Sequence, residues 1–214
     1  MRTDVDVAAV LAKIESPNIV LIGAWNDIKA TIPPGGHTLT ELPDQPNYNL
    51  WCIDPLPWCI SNIKEIAKGD PRIRTLQFAV GDHDGEATFN VFSPDMCSSL
   101  RRQVGGGAPY SQLSVEVKRL DTLLAAGLLP DHVDYVTLDV QGCSLEAIRG
   151  GREFFSMCRM AWVEAEFSPL YDGESLWPEI RDAMLSLGFR QATEMTEAEM
   201  NTDWEDVLFV RGDL

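Results

Sequence analysis

Apolar positions along this chain follow two spacings in turn. Val7, Val10, Leu11 and Ile14 recur at helical spacing and stop before Ser16-Pro17, which predicts a short N-terminal helix. Nearly continuous apolar runs follow at Ile19 to Gly23, Leu50 to Ile53, Tyr135 to Val140 and Met160 to Ala165. Such runs belong to strands covered on both faces. Between them Trp58, Ile60, Ile63, Ile66 and Ala67 mark an amphipathic helix closed near Gly69. Shorter helices are predicted over Leu120 to Ala126 and around Leu145 and Ile148, and a longer one over Leu176 to Leu187. Two strands close the chain, around Phe189 and from Val207 to Val210. Strands alternating with helices in this way predict an α/β fold with a mainly parallel sheet and an antiparallel edge strand.

The interruptions are as informative as the runs. Pro33, Pro34, Gly35, Gly36, Pro43 and Pro46 punctuate the stretch from Trp25 to Tyr48, which reads as loop. Ile73 to Val80 reads as a third strand that turns at Gly81-Asp82-His83-Asp84-Gly85 into Ala87 to Phe92, a hairpin-like excursion. Gly105-Gly106-Gly107 with Pro109 marks a loop of the kind that forms lids, and Leu113 to Val117 alternates as a short strand. From Asp134 to Gly151 a buried strand ends on Asp139, Gln141-Gly142 turns, and Ser144 is placed to cap a helix. Ligands of open α/β sheets bind at the carboxyl ends of the strands. Asp139 is therefore a functional candidate, the alternative being a turn cap. Asp54, at the tip of the second strand, suits the hydroxyls of a ribose, and Gly23 follows the first strand. I-G-A-W-N-D lacks G-x-G-x-x-G, so a pyrophosphate cofactor is poorly supported and a nicotinamide oxidoreductase ranks last.

Composition narrows the function further. The 214 residues, 45% of them hydrophobic, suit one domain, with residues 1–17 carrying the N-terminal helix and 18–214 the domain proper. Lys and Arg number 17 against 33 Asp and Glu, a formal charge of −16 that repels phosphate backbones and anionic membranes. Neither nucleic acid nor a membrane is an expected partner. Glu194 to Asp206 holds six acids and no Lys or Arg, which reads as a solvated face ahead of a cation-attracting rim. Cys52, Cys59, Cys97, Cys143 and Cys158 show no C-x-x-C pairing, and residues 1–16 lack a signal-peptide pattern, so a cytoplasmic protein is expected. His83 lies in a turn rather than at metal-ligand spacing, and His37 and His132 have no partner at such spacing.

Four blocks resemble, in order, the FkbM-type family of S-adenosylmethionine-dependent methyltransferases over about residues 18–211. They are C-I-D-P-L-P from Cys52, A-V-G-D-H-D-G from Ala79, V-K-R-L-D-T-L-L from Val117 and L-D-V-Q-G-C-S-L-E-A-I-R-G-G from Leu138. The resemblance implies a Rossmann-like class I methyltransferase fold with S-adenosylmethionine as cofactor. It implies that Gly23 and Ala24 lie beneath the methionine part, that Asp54 with Pro55 meets the ribose, and that Ala79, Val80 and Gly81 border the adenine. Asp139 is implied at the reaction centre as cofactor contact and base. Glu164 is a second catalytic candidate, its alternative role being a buried acid paired with Arg149 or Arg152. The acceptor implied is a hydroxyl of a small molecule or sugar. The chain departs from the family pattern at Leu21, Asp27 and Gln141, and in the Pro/Gly-rich stretch that replaces a family helix. Leu21, Asp27 and the missing helix are the evidence for the rival expectation, a non-catalytic binding or partner module.

Overall fold

The computed structural model describes residues 2–25, 31–32, 37–38, 48–196 and 199–212. Seven strands form its central sheet: β1 (Asn18–Ile22), β2 (Asn49–Ile53), β3 (Ile73–Leu76), β4 (Val133–Leu138), β5 (Cys158–Glu166), β6 (Phe189–Gln191) and β7 (Trp204–Arg211). Their spatial order is β6-β7-β5-β4-β1-β2-β3. The five from β5 to β3 run parallel, and β7 runs antiparallel to both β5 and β6. The antiparallel strand therefore lies one place in from the edge. The chain leaves β1 toward β2 and β3, then returns to lay β4 on the other side of β1. That reversal opens a crevice at the carboxyl ends of β1 and β4.

Helices cover both faces, which is why the inner strands read as nearly continuous apolar runs. Val20, Ile22, Ile53, Val136 and Val163 face a core shared with α3 (Leu120–Ala125), α4 (Ser144–Gly150), α5 (Arg152–Ser156) and α6 (Trp177–Ser186). Ile19, Leu21, Leu50 and Tyr135 face a second core with α1 (Val7–Leu11) and α2 (Pro57–Ala67). Each fully buried aliphatic or aromatic side chain stabilises the fold by roughly 1.5–3 kcal/mol. Pro57 opens α2 where no backbone donor is needed, and Lys68 ends it at φ 50° ahead of Gly69. No helix among the described residues is long and apolar enough to cross a membrane. None of the five cysteines is in a disulfide, and four are buried.

Two local expectations fail for physical reasons. The stretch from Ile73 breaks after Leu76, and Ala79–Val80 does not pair with the strand that follows the turn. Gly85–Val91 instead pairs along its whole length with Ser111–Lys118, whose other edge takes Ala79–Val80. A seven-residue strand finds a full-length partner there, and Phe89, Val91, Val115 and Val117 close over Leu56 and Cys59. Ser144 does not cap α4: the helix begins on it, and its hydroxyl donates to the Glu164 carbonyl at 3.2 Å. That bond ties the helix start to β5. The expected loop from Trp25 to Tyr48, with Asp27, lies almost entirely outside the described residues.

Candidate functional site

A cavity of about 540 Å³ opens at the carboxyl ends of the parallel strands. Gly23 follows β1, Asp54 and Pro55 follow β2, Asp139 and Gln141 follow β4, and Glu164 and Glu166 end β5; all of them line it, with Ala79 and Val80. Gly23 stitches these strand ends together. Its N–H donates to the Ile53 carbonyl at 3.0 Å, and the Asp139 N–H donates to Ile22 at 3.0 Å. At φ +80° a Cβ on residue 23 meets the Asp139 carbonyl oxygen at 1.6 Å, so only glycine fits. The demand comes from the protein's own backbone. Ala24 and Gly81 are not among the lining residues: Ala24 packs in the core beside α1, and the Gly81 carbonyl abuts Gly150 of α4.

Asp54 is 5% exposed and anchored at both oxygens. Oδ1 accepts the Leu56 N–H at 2.9 Å, and Oδ2 accepts the Trp25 N–H at 2.8 Å. Burial pushes its carboxyl up to about 6, against the pull of those two donors. The Cys59 thiol is a further hydrogen-bond partner of this carboxylate, which as an acceptor of up to four donors keeps capacity for a hydroxyl from the cavity.

Across the cavity the acids crowd together. The Gln141 amide donates to Asp139 Oδ1 at 2.6 Å and to Glu164 Oε2 at 2.8 Å, while its Oε1 lies 2.7 Å from the Tyr171 hydroxyl. Ser99 donates to the Gln141 carbonyl at 2.6 Å and holds the residue at φ 51°. Asp139 is open to the cavity's solvent but otherwise surrounded by protein, and burial raises its pKa. Glu164, 8% exposed, is raised further by burial and by the charge of Asp139. The groups facing it are Asp139, Glu166 and Asp206; Arg149 and Arg152 are exposed. Glu166 and Asp206 are each pushed up to about 7, mainly by burial.

Sequence reasoning missed several lining residues. Asp95 accepts both the Trp25 and the Trp58 indole N–H at 3.0 Å, a clamp at the cavity wall that joins residues distant in sequence. Tyr171 arrives from beyond β5 in the same way. Glu166 had a signal: it stands two residues after Glu164 on a strand, on the same face. The acidic run from Glu194 divides, since Asp203 is exposed and bonded to Ser168 whereas Asp206 lines the cavity. His83 sits in an exposed turn with Nδ1 2.8 Å from Asp82.

These raised acids set a pH dependence. Asp54, Glu166 and Asp206 bind protons more tightly folded than unfolded, so they contribute most below their unfolded values near 4. That contribution is lost as pH rises to about 7. Thermal denaturation of the ligand-free protein should give a Tm at pH 5 above that at pH 8 by on the order of 5 °C. A Tm that rises over this interval contradicts the burial of these carboxyls.

A sheet of this order, reversing between β1 and β4 with its cavity at the carboxyl ends, is the architecture of the Rossmann-like class I methyltransferases. The FkbM methyltransferase of Methylobacillus flagellatus KT superposes with a TM-score of 0.56 at 15% identity, over 92% of this chain and 44% of that one. Fibrillarin of Aeropyrum pernix, solved with S-adenosyl-L-methionine bound, superposes with a TM-score of 0.50 at 10% identity, over 95% of this chain and 73% of that one. At such identities the likeness is one of fold. The methyltransferase FkbM domain matches residues 38–191, and the chain belongs to that family. Its sequence is also 27% identical to the 2-O-methyltransferase NoeI of Sinorhizobium fredii (strain NBRC 101917 / NGR234) over 144 residues. That match takes in 61% of this chain and 58% of NoeI, so the chain spans less than two thirds of this relative's length.

Proposed function

We propose that this protein transfers a methyl group from S-adenosylmethionine to a hydroxyl oxygen of a small molecule or sugar. The observation that carries the proposal is Asp54, a buried carboxylate at the tip of β2 that lines the cavity and is fixed there by the Trp25 and Leu56 N–H groups. The cavity's volume of about 540 Å³ falls in the range of small-molecule sites, about 300–1,000 Å³. Its donor set also fits the cofactor. Asp54 suits a ribose diol, Ile53, Phe78 and Val80 offer an apolar wall for an adenine, and Asp139 favours positive charge. When bound, S-adenosylmethionine supplies an electrophilic methyl carbon on a cationic sulfur. NoeI, named for 2-O-methylation, supports oxygen as the acceptor atom.

Asp139 takes the proton of the reacting hydroxyl onto its carboxylate, and Gln141 holds that carboxylate through Oδ1. A base whose pKa burial has raised is a better proton acceptor near neutral pH. The Tyr171 hydroxyl donates to the Cys97 carbonyl at 3.0 Å and so joins two segments that line the cavity. The net charge of −16 disfavours nucleic acid as acceptor, and five cysteines outside any disulfide suit a reducing, cytoplasmic setting.

Asp139→Asn separates chemistry from binding. It should lower methyl transfer about 10²- to 10⁴-fold, measured with labelled cofactor, and leave S-adenosylhomocysteine affinity within a few-fold. Full transfer by a folded Asp139→Asn protein removes Asp139 as the base.

A further inference from the structure

Among the described residues lining the cavity, Asp54, Asp95, Asp139, Glu164, Glu166 and Asp206 are acidic, and none is Lys, Arg or His. Asp54 and Asp139 have tasks in the transfer reaction, and Asp95 is held by two indoles. The other three have none. They sit together on β5 and β7, where Glu164 and Asp206 are direct cross-strand partners. Like charges so placed destabilise a sheet. Glu166 is 1% exposed; its Oε1 accepts the Gly142 N–H at 3.0 Å, while Oε2 has no partner. A buried carboxylate oxygen left in this way is costly unless a proton or a ligand completes it. Trp204, the cross-strand partner of Glu166, adds an exposed indole face to the cavity wall, and Tyr171 adds a phenol.

Acids grouped with aromatic faces are the means by which proteins recognise ammonium groups. Among the described residues no group of three acids, His or Cys is placed to hold a metal ion, and we read the charge of this wall as a match for an organic cation. The cofactor does not account for it. Asp54 on β2 is separated from Glu164 on β5 by β1 and β4, three strand spacings or roughly 14 Å at about 4.8 Å each.

Resting on the proposed methyl transfer, we infer that the acceptor is an amine-bearing alcohol, such as an amino sugar, whose ammonium group binds at Glu164, Glu166 and Asp206. Held as an ammonium, the nitrogen has no lone pair to receive the methyl. The amine is the handle and a neighbouring hydroxyl is the nucleophile. The O–C bond forms as the S–C bond breaks, the electron pair stays on sulfur, and the hydroxyl proton passes to Asp139. Acceptors carrying phosphate or carboxylate are excluded by the same wall.

The test is calorimetric titration of the protein saturated with S-adenosylhomocysteine, using matched pairs: glucosamine against glucose, galactosamine against galactose, ethanolamine against ethylene glycol. At least one amine should bind tenfold or more tightly than its neutral twin. Glu166→Gln, which keeps an acceptor for the Gly142 N–H, and Asp206→Asn should each abolish that preference. Asp206→Asn should also raise Tm by up to about 4 °C, because it removes the like-charge pair while the site is lost. No pair showing a preference, or a preference that survives both substitutions, overturns the inference. Titration of S-adenosylhomocysteine alone separates the failures: if it does not bind, the transferase proposal falls; if it binds and no amine is preferred, only the amine falls.

Discussion

Asp54→Ala should weaken binding of S-adenosylmethionine and S-adenosylhomocysteine by at least about 100-fold, because two hydrogen bonds to a charged acceptor contribute roughly 1.5–3 kcal/mol each. The substitution also strips the acceptor from the Trp25 and Leu56 N–H groups. Some loss of Tm is therefore expected, and circular dichroism must show a folded protein. Asp54→Asn serves as the graded control: it keeps one acceptor oxygen and should fall between wild type and alanine. The pH profile carries the same signature. Because the Asp54 carboxyl sits at about 6, wild-type affinity should decline as pH falls below that value, where protonation removes acceptor capacity. An alanine variant that binds like wild type would place the ribose elsewhere.

Gly23→Ala should be the most damaging single methyl in the described fold. The new Cβ lies 1.6 Å from the Asp139 carbonyl oxygen, and both atoms belong to backbone with no flexible side chain to yield. Relief requires the ends of β1 and β4 to separate, breaking the Asp139–Ile22 bond. The left-handed φ adds roughly 1–2 kcal/mol. A loss above about 4 kcal/mol is expected, which lowers Tm by about 8 °C or more and leaves little of a typical 5–15 kcal/mol stability. Gly69→Ala is the matched control, since Gly69 shares a positive φ but has nothing within 4 Å of the added methyl. It should cost only the conformational part. Equal stability for the two variants contradicts the close approach of Gly23 to Asp139.

The inner part of the sheet was legible in the sequence because β1, β2, β4 and β5 are buried on both faces, so Ile19 to Ile22 is apolar without interruption and Tyr135 to Leu138 is broken only by Thr137. Asp54 and Asp139 were legible because each breaks such a run at its carboxyl end. Pairing between distant segments left no comparable trace. Nothing local tells that Gly85–Val91 joins Ser111–Lys118, or that Asp95 meets Trp25 and Trp58. Gly23 was found for a different reason from the one that requires it: the family pattern pointed to cofactor approach, whereas the Asp139 carbonyl excludes a side chain. Ala24 and Gly81 adjoin site residues in sequence yet are not among those lining the cavity, and Asp206 was hidden in an acidic run. Leu21 is buried against α1, so that departure from the family pattern is filled by core packing.

The most direct test of a cofactor site built on Asp54 is isothermal titration calorimetry of the wild-type protein with S-adenosylmethionine and S-adenosylhomocysteine. Micromolar binding at one site per chain is predicted. No heat up to millimolar ligand, from a protein with a cooperative thermal transition, contradicts a methyltransferase and favours a binding module that keeps the sheet without the cofactor.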